Sequence, residues 1–149
     1  MHKNILRTLP VAAALFLTAC QGGNTNSQDA TAVQDSLAID SLSTEVMAIH
    51  DEGMAKMMVI RRLRTRVAEV TDSLGKAKAD TAVYHSAGAL LDSANSAMNA
   101  WMHGYDMELA DKDNAQKKAY LESEKKKISE VKDLMLKSID GAKALLNEQ

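Results

Sequence analysis

Residues 46–74, Val-Met-Ala-Ile-His-Asp-Glu-Gly-Met-Ala-Lys-Met-Met-Val-Ile-Arg-Arg-Leu-Arg-Thr-Arg-Val-Ala-Glu-Val-Thr-Asp-Ser-Leu, decide the fold. Val46, His50, Gly53, Met57, Ile60, Leu63, Val67, Val70 and Leu74 recur three or four apart, which is the seam of an amphipathic helix and incompatible with the two-residue alternation of a strand. The first helix is expected to begin between Asp35 and Thr44 and to run to Leu74, with Gly75 as its C-terminal cap. The same rhythm continues downstream. Tyr84, Ala87, Leu91, Ala94, Met98, Trp101 and Tyr105 mark a second helix over about 81–106, N-capped by Asp80. Leu121, Ile128, Val131, Met135, Ala142 and Leu145 mark a third over about 113–147, capped by Asp111 or Asp113. Short connections force neighbouring helices to run antiparallel. The fold expected of residues 35–149 is therefore all-α: an up-down-up three-helix bundle with left-handed, coiled-coil-like packing and helices roughly 40 to 50 Å long.

Composition agrees. Of 149 residues, 46% are apolar but only 3% aromatic, with one proline, one cysteine and nine methionines. This disfavours a β-sandwich or a collagen-like repeat, and a single cysteine excludes a disulfide scaffold. The length suits one domain. A formal charge of −2 supplies no field for nucleic acid, and no 20 to 50 residue period supports a solenoid.

The N-terminus reads as an export signal. Lys3 and Arg7 precede an apolar stretch, Val11 to Leu17, that is too short to span a bilayer. The stretch ends in Leu17-Thr18-Ala19-Cys20, which resembles the lipobox of bacterial lipoproteins, where the cysteine is diacylated and becomes the mature N-terminus. Residues 1–19 are then a signal peptide and Cys20 a lipid anchor, palmitate being one such acyl chain. At about 0.8 kcal/mol per buried methylene, two or three chains hold a soluble domain on a membrane. Removing Lys3 and Arg7 leaves 16 basic against 20 acidic residues, so the exported domain is mildly acidic at −4. Gln21 follows the cysteine; an aspartate there would, by the same resemblance, favour the inner membrane, so the expected address is the outer membrane facing the periplasm. Residues 20–34 lack apolar mass and read as a flexible tether.

One constellation invites a functional reading. Seven of the eight methionines after the initiator fall in two windows, Met47, Met54, Met57 and Met58 on helix one and Met98, Met102 and Met107 on helix two. A turn centred near residue 77 sets positions summing to about 154 level with one another: Met47 with Met107, His50 with Gly104, Met57 with Ala97 and Met98. Trp101 and Tyr105 belong to that layer, and Tyr120 approaches it from helix three. At 100° per residue His50 points into the seam, whereas His103 points outward. From Ile49 to Met58 the apolar arc of helix one spans about 180°, wider than one neighbour requires. The surplus is left underpacked, covered by Leu37, Ile39 and Leu42, or held for a ligand.

Three readings of the layer Met47, His50, Met54, Met57, Met98, Trp101, Met102 and Tyr105 follow. Methionines are adaptable core filler, and His50 is a satisfied seam histidine. Alternatively they form a flexible groove for an envelope protein, a peptide or a lipid. In the third, His50 and Met54, at i and i+4, join Met98 or Met102 as soft ligands for Cu(I). No haem motif or paired Glu-x-x-His motif is present.

Other charged groups have ordinary roles as well. Glu45, His50, Asp51 and Glu52 could ligate a metal or simply complement a helix dipole. Arg61, Arg62, Arg64, Arg66 and the run Lys125 to Lys127 could meet anionic headgroups, or form a solvated face with pairs such as Glu122 with Lys126. There is no Gly-rich phosphate loop, nucleophile elbow or distinct acid/base pair, so no catalytic residue is expected and the chain reads as a non-enzyme.

Behind the lipobox, the segments Glu45 to Met57 and Ala97 to Tyr105 resemble small lipoproteins of Bacteroidetes-type bacteria that automatic labelling calls "viral A-type inclusion protein". The resemblance implies a helical lipoprotein and no catalytic residues. Relatives carry proline where this chain has Ala55; its absence removes a helix kink or start near Met54. The resulting expectation is a lipid-anchored envelope module for binding or structure, with a periplasmic copper protein as the alternative.

Overall fold

The computed structural model describes residues 25–148, with side chains from Ala30 onward; the expected signal peptide, Cys20 and the first tether residues lie outside them. Three helices account for nearly all of it: α1 Thr25–Lys76, α2 Ala82–Gly104 and α3 Asn114–Leu146. No strand occurs among the described residues, and each helix packs against the other two.

α1 is longer than its seam predicts. It begins at Thr25, ten residues inside the stretch read as tether, and its 52 residues extend about 78 Å rather than 40 to 50 Å. The last glycines before it are Gly22 and Gly23, and no proline follows in the helix. Once the packed part nucleates, nothing in Gln28 to Gln34 stops the helix from propagating, although Ala30 to Gln34 are all exposed. The helix also runs without interruption through Gly53 and Ala55.

The turns use local chemistry that periodicity does not reveal. Gly75 stays helical, and the left-handed residue of the α1–α2 turn is Lys78, at φ 57°, where the Lys78 N–H donates to the Gly75 carbonyl at 3.0 Å. Asp80 accepts from the Ala82 N–H at 2.9 Å, although it lies one residue ahead of the N-cap, Thr81, which makes no side-chain cap bond. α2 ends at Gly104, with Tyr105 extended. α3 opens on a full capping box: the Gln116 N–H donates to Asp113 at 2.9 Å and the Asp113 N–H donates to the Gln116 side chain at 3.0 Å. It closes on Asn147, left-handed at φ 53°.

The core is one continuous column. Val46, Ile60, Leu63 and Val67 from α1 meet Leu91, Ala94 and Met98 from α2 and Leu121, Ile128, Met135, Ile139 and Ala142 from α3. α3 therefore covers the broad apolar arc of α1 more fully than its charged sequence suggests. Ile39 and Leu42 add to that cover, but Leu37 stays exposed.

Candidate functional site

At the end of the bundle that holds the α2–α3 turn, four rings from three helices form a ladder. His50 of α1 lies 5.5 Å from Trp101 of α2, tilted by 32°; Trp101 stacks on Tyr105 at 4.8 Å; Tyr105 stacks on Tyr120 of α3 at 6.1 Å. Trp101 and Tyr105 align because they are four residues apart. Each spacing falls in the range where offset rings attract beyond the area they bury.

The turn after α2 clamps the ladder's outer end. The Asp106 N–H donates to the Tyr120 hydroxyl at 2.6 Å. The Asp106 carboxylate in turn accepts from the Glu108 and Leu109 N–H groups, both at 3.1 Å, and from Lys112 Nζ at 2.7 Å. Lys112 also sits 5.2 Å over the Tyr120 ring. The bond from Lys112, followed by that from the Leu109 N–H, holds the Asp106 carboxyl below the usual carboxylate range; the bond to Asp106 raises the Lys112 ammonium. Leu109, left-handed at φ 50°, is buried under this clamp.

Two polar groups lie inside. Glu124 is only 4% exposed, yet its carboxylate reaches Lys127 Nζ at 2.7 Å, and that bond raises the Lys127 ammonium. The Trp101 Nε1–H is buried with no acceptor. Burial also pushes the Tyr105 hydroxyl up, against an opposing hydrogen bond with Ser43.

The predicted layer separates into distinct environments. His50, Trp101 and Tyr105 come together, while Met98 is fully buried and packs with Met135 in the space left by Gly53, where a Cβ would collide with the Met98 methyl. Met57 and Met102 pack against the core, Met47 is half-buried, and Met54 is turned outward at 37% exposure. Met107, expected level with Met47, lies past the end of α2 at 77% exposure. At this end the level is shifted by about three residues from the expected one, with His50 facing Trp101 rather than Gly104, while nearer the α1–α2 turn Arg64 meets Asp92 close to the expected level.

For a copper site, His50, Met54, Met98 and Met102 would have to converge. His50 Nδ1 instead stands 3.0 Å from Asp51 Oδ1, Met98 fills the core and Met54 lies outside. No group of three or more His, Cys, Asp or Glu side chains among the described residues is placed to hold a metal ion. His103, as expected, is exposed, with Nδ1 2.6 Å from the Asn99 carbonyl oxygen.

Several basic residues are engaged across helices, while Arg66 and Lys127 pair within their own helices with Glu69 and Glu124. Lys118 reaches Asp35 at 2.8 Å, Lys132 reaches Glu52 at 2.8 Å and Arg62 reaches Glu148 at 2.6 Å; Lys125 pairs with Glu45 and Arg64 with Asp92. These bonds hold Glu45 and Glu52 below the usual carboxylate range.

Sequence reasoning passed over Glu124, Asp106, Lys112 and Gly53's role as a receptacle. Glu124 had a signal: it completes the 3-4 spacing Leu121, Glu124, Ile128, Val131, Met135, and so occupies a seam position. No protein-family model, curated protein or solved structure matches the chain.

Proposed function

We propose that this chain is a lipid-anchored helical module of the cell envelope, held at Cys20 to the outer membrane and facing the periplasm, with a non-enzymatic binding or structural role. The observation that carries the reading is the charged-then-apolar leader ending in Leu17-Thr18-Ala19-Cys20, only five residues ahead of the long helix α1. No helix among the described residues is long and apolar enough to cross a membrane, so an acyl anchor is the means of attachment this reading requires.

The bundle is read as up-down-up. Ion pairs between α1 and α3 keep a nearly constant numerical difference, 83 for Asp35 with Lys118 and 80 for both Glu45 with Lys125 and Glu52 with Lys132, as parallel helices do. Partners on α1 and α2 keep a nearly constant sum, 151 for His50 with Trp101 and 156 for Arg64 with Asp92, as antiparallel helices do. The ladder, buried at Trp101 and partly exposed at His50, Tyr105 and Tyr120, and its clamp occupy the end from which α1 extends toward Thr25. That end is assigned to contacts at or near the membrane.

Fractionating cells that express the full chain or Cys20→Ala tests the anchor. Release of the variant into the soluble fraction supports it; unchanged membrane retention overturns it.

A further inference from the structure

α2 differs from its neighbours in what it shows to solvent. Every exposed residue from Ala82 to Ala100, namely Ala82, Val83, His85, Ser86, Ala89, Leu90, Ser93, Ser96 and Ala100, lacks a formal charge, and the helix's one acidic side chain, Asp92, is drawn aside to Arg64 of α1. A helix without a charged outer face is expected to be covered. Beside this face, between α2 and α3, lies an apolar hollow of about 380 Å³ bounded by Ala82, Ser86, Gly141 and Leu145. Val83 and Leu90, seven residues apart and therefore on one stripe, stand at its rim at 56% and 48% exposure.

We propose that this face is the contact between two copies of the chain, related by a two-fold axis along α2, with α2 and α3 of each copy forming a central four-helix layer. The patch is self-complementary, as a two-fold contact must be, because it carries both the projecting residues and the hollow. The axis sets Leu90 of each copy over the hollow of the other at the same height. A strip about 35 Å long and two helix diameters wide, about 20 Å, covers about 700 Å² per copy, or about 1,400 Å² in all, above the roughly 1,000 Å² that a specific interface needs.

Charge selects the same face. Two α2 surfaces meet without like-charge opposition, and the two-fold sets each α3 beside α2 of the other copy, whereas a contact of α3 on α3 would set the Lys125 to Lys127 run against itself. Where the remaining chain leaves the bundle also fits: the 24 residues before α1 depart from the end opposite the hollow, and a two-fold along the helices keeps both departures on one side. The pairing rests on the fold and is independent of lipidation at Cys20.

Sedimentation velocity of the full chain in mild detergent is the test. A dimer is expected, with association weakened about ten-fold or more by Ser86→Glu and by Leu90→Lys, with helical content unchanged because both side chains are exposed, and with the thermal midpoint lowered only by the lost association. Direction is read by disulfide trapping in a Cys20→Ser background: Ser86→Cys is expected to cross-link to its own copy at the axis, and Lys126→Cys to remain monomeric. A wild-type chain still monomeric on the order of 100 µM overturns the proposal. So does a dimer indifferent to both charged substitutions, or equal cross-linking at position 126. Because detergent replaces the membrane, failure of the anchor leaves every one of these readings intact.

Discussion

The two ends of the bundle share helices and seam spacing but are held by different physics. Toward the α1–α2 turn, Leu63, Val67, Leu91, Ile139 and Ala142 interdigitate with almost no polar partner. Toward the α2–α3 turn, His50, Trp101, Tyr105 and Tyr120 stack across three helices, Asp106 fixes the last phenol, and Glu124 and the Trp101 Nε1–H are buried among them. Aliphatic packing is non-directional and tolerates small shifts in helix register, whereas stacked rings and hydrogen bonds do not. The aliphatic end thus supplies bulk stability, and the aromatic end sets which residue faces which. The one buried side-chain polar atom without a partner among the described residues, the Trp101 Nε1–H, also lies at that end.

Truncation at each end gives the largest expected effects. Leu91→Ala is expected to cost about 3 kcal/mol and Trp101→Ala about 4 kcal/mol, by denaturant unfolding, because both leave cavities in closed packing. The diagnostic is Trp101→Phe. Since the buried indole N–H has no acceptor, its removal relieves a desolvation penalty that offsets part of the lost area, and the cost is expected to stay under about 1 kcal/mol. A loss near that of the alanine variant would mean that the N–H does have a partner.

A smaller contrast sits within one helix. Gly53 faces the Met98 methyl, and Gly75 has nothing near its missing side chain. Gly53→Leu is expected to destabilise by about 2 kcal/mol through overpacking. Gly75→Ala is expected to stabilise by about 0.5 to 1 kcal/mol through helix propensity. Equal effects would dissolve the distinction between a packed glycine and an idle one. At the helix starts, Asp113→Ala is expected to cost about 1 kcal/mol, while Thr81→Ala, which removes no side-chain cap bond, changes stability little.

Much of this architecture is legible in the residues. The 3-4 spacing of Val46 to Leu74 and of Tyr84 to Tyr105 identifies both helices and their inward faces, and the pairing of the two windows brings His50 to Trp101 within about one helical turn. Three features were hidden. The start of α1 at Thr25 depends on propagation from a distant nucleus, and local composition is silent about it. Lys78 taking the left-handed position beside an available Gly75 reflects where the turn must point, which periodicity does not encode. The Asp106 clamp joins residues 106, 109, 112 and 120 through a loop with no repeat to betray it. Methionine clustering, conversely, suggested one layer where the helices impose three environments: core for Met98, flank for Met102 and surface for Met54.

Acid supplies the gentlest probe of the two ends. Lys125, Lys132 and Lys112 hold Glu45, Glu52 and Asp106 below their ordinary values, and these carboxylates lie on the half of the bundle that includes the aromatic end. A carboxyl depressed by folding adds stability that is fully present above its unfolded value and is lost as pH falls through its folded one. For these three groups the loss begins below about pH 4.5 and continues downward. The thermal midpoint is therefore expected to be flat from about pH 6 to pH 8 and to fall by pH 3, with Trp101 fluorescence changing before total helical content does. Added salt is expected to shrink the difference, since all three pairs are solvent-accessible and screened. The alkaline limb has the opposite sign: Tyr105, Lys112 and Lys127 are raised, so what they add persists up to about pH 10 and is lost above it. If indole fluorescence and helicity fall together in acid, the two ends open as one unit, and the aromatic end has no independent mobility with which to admit a ligand.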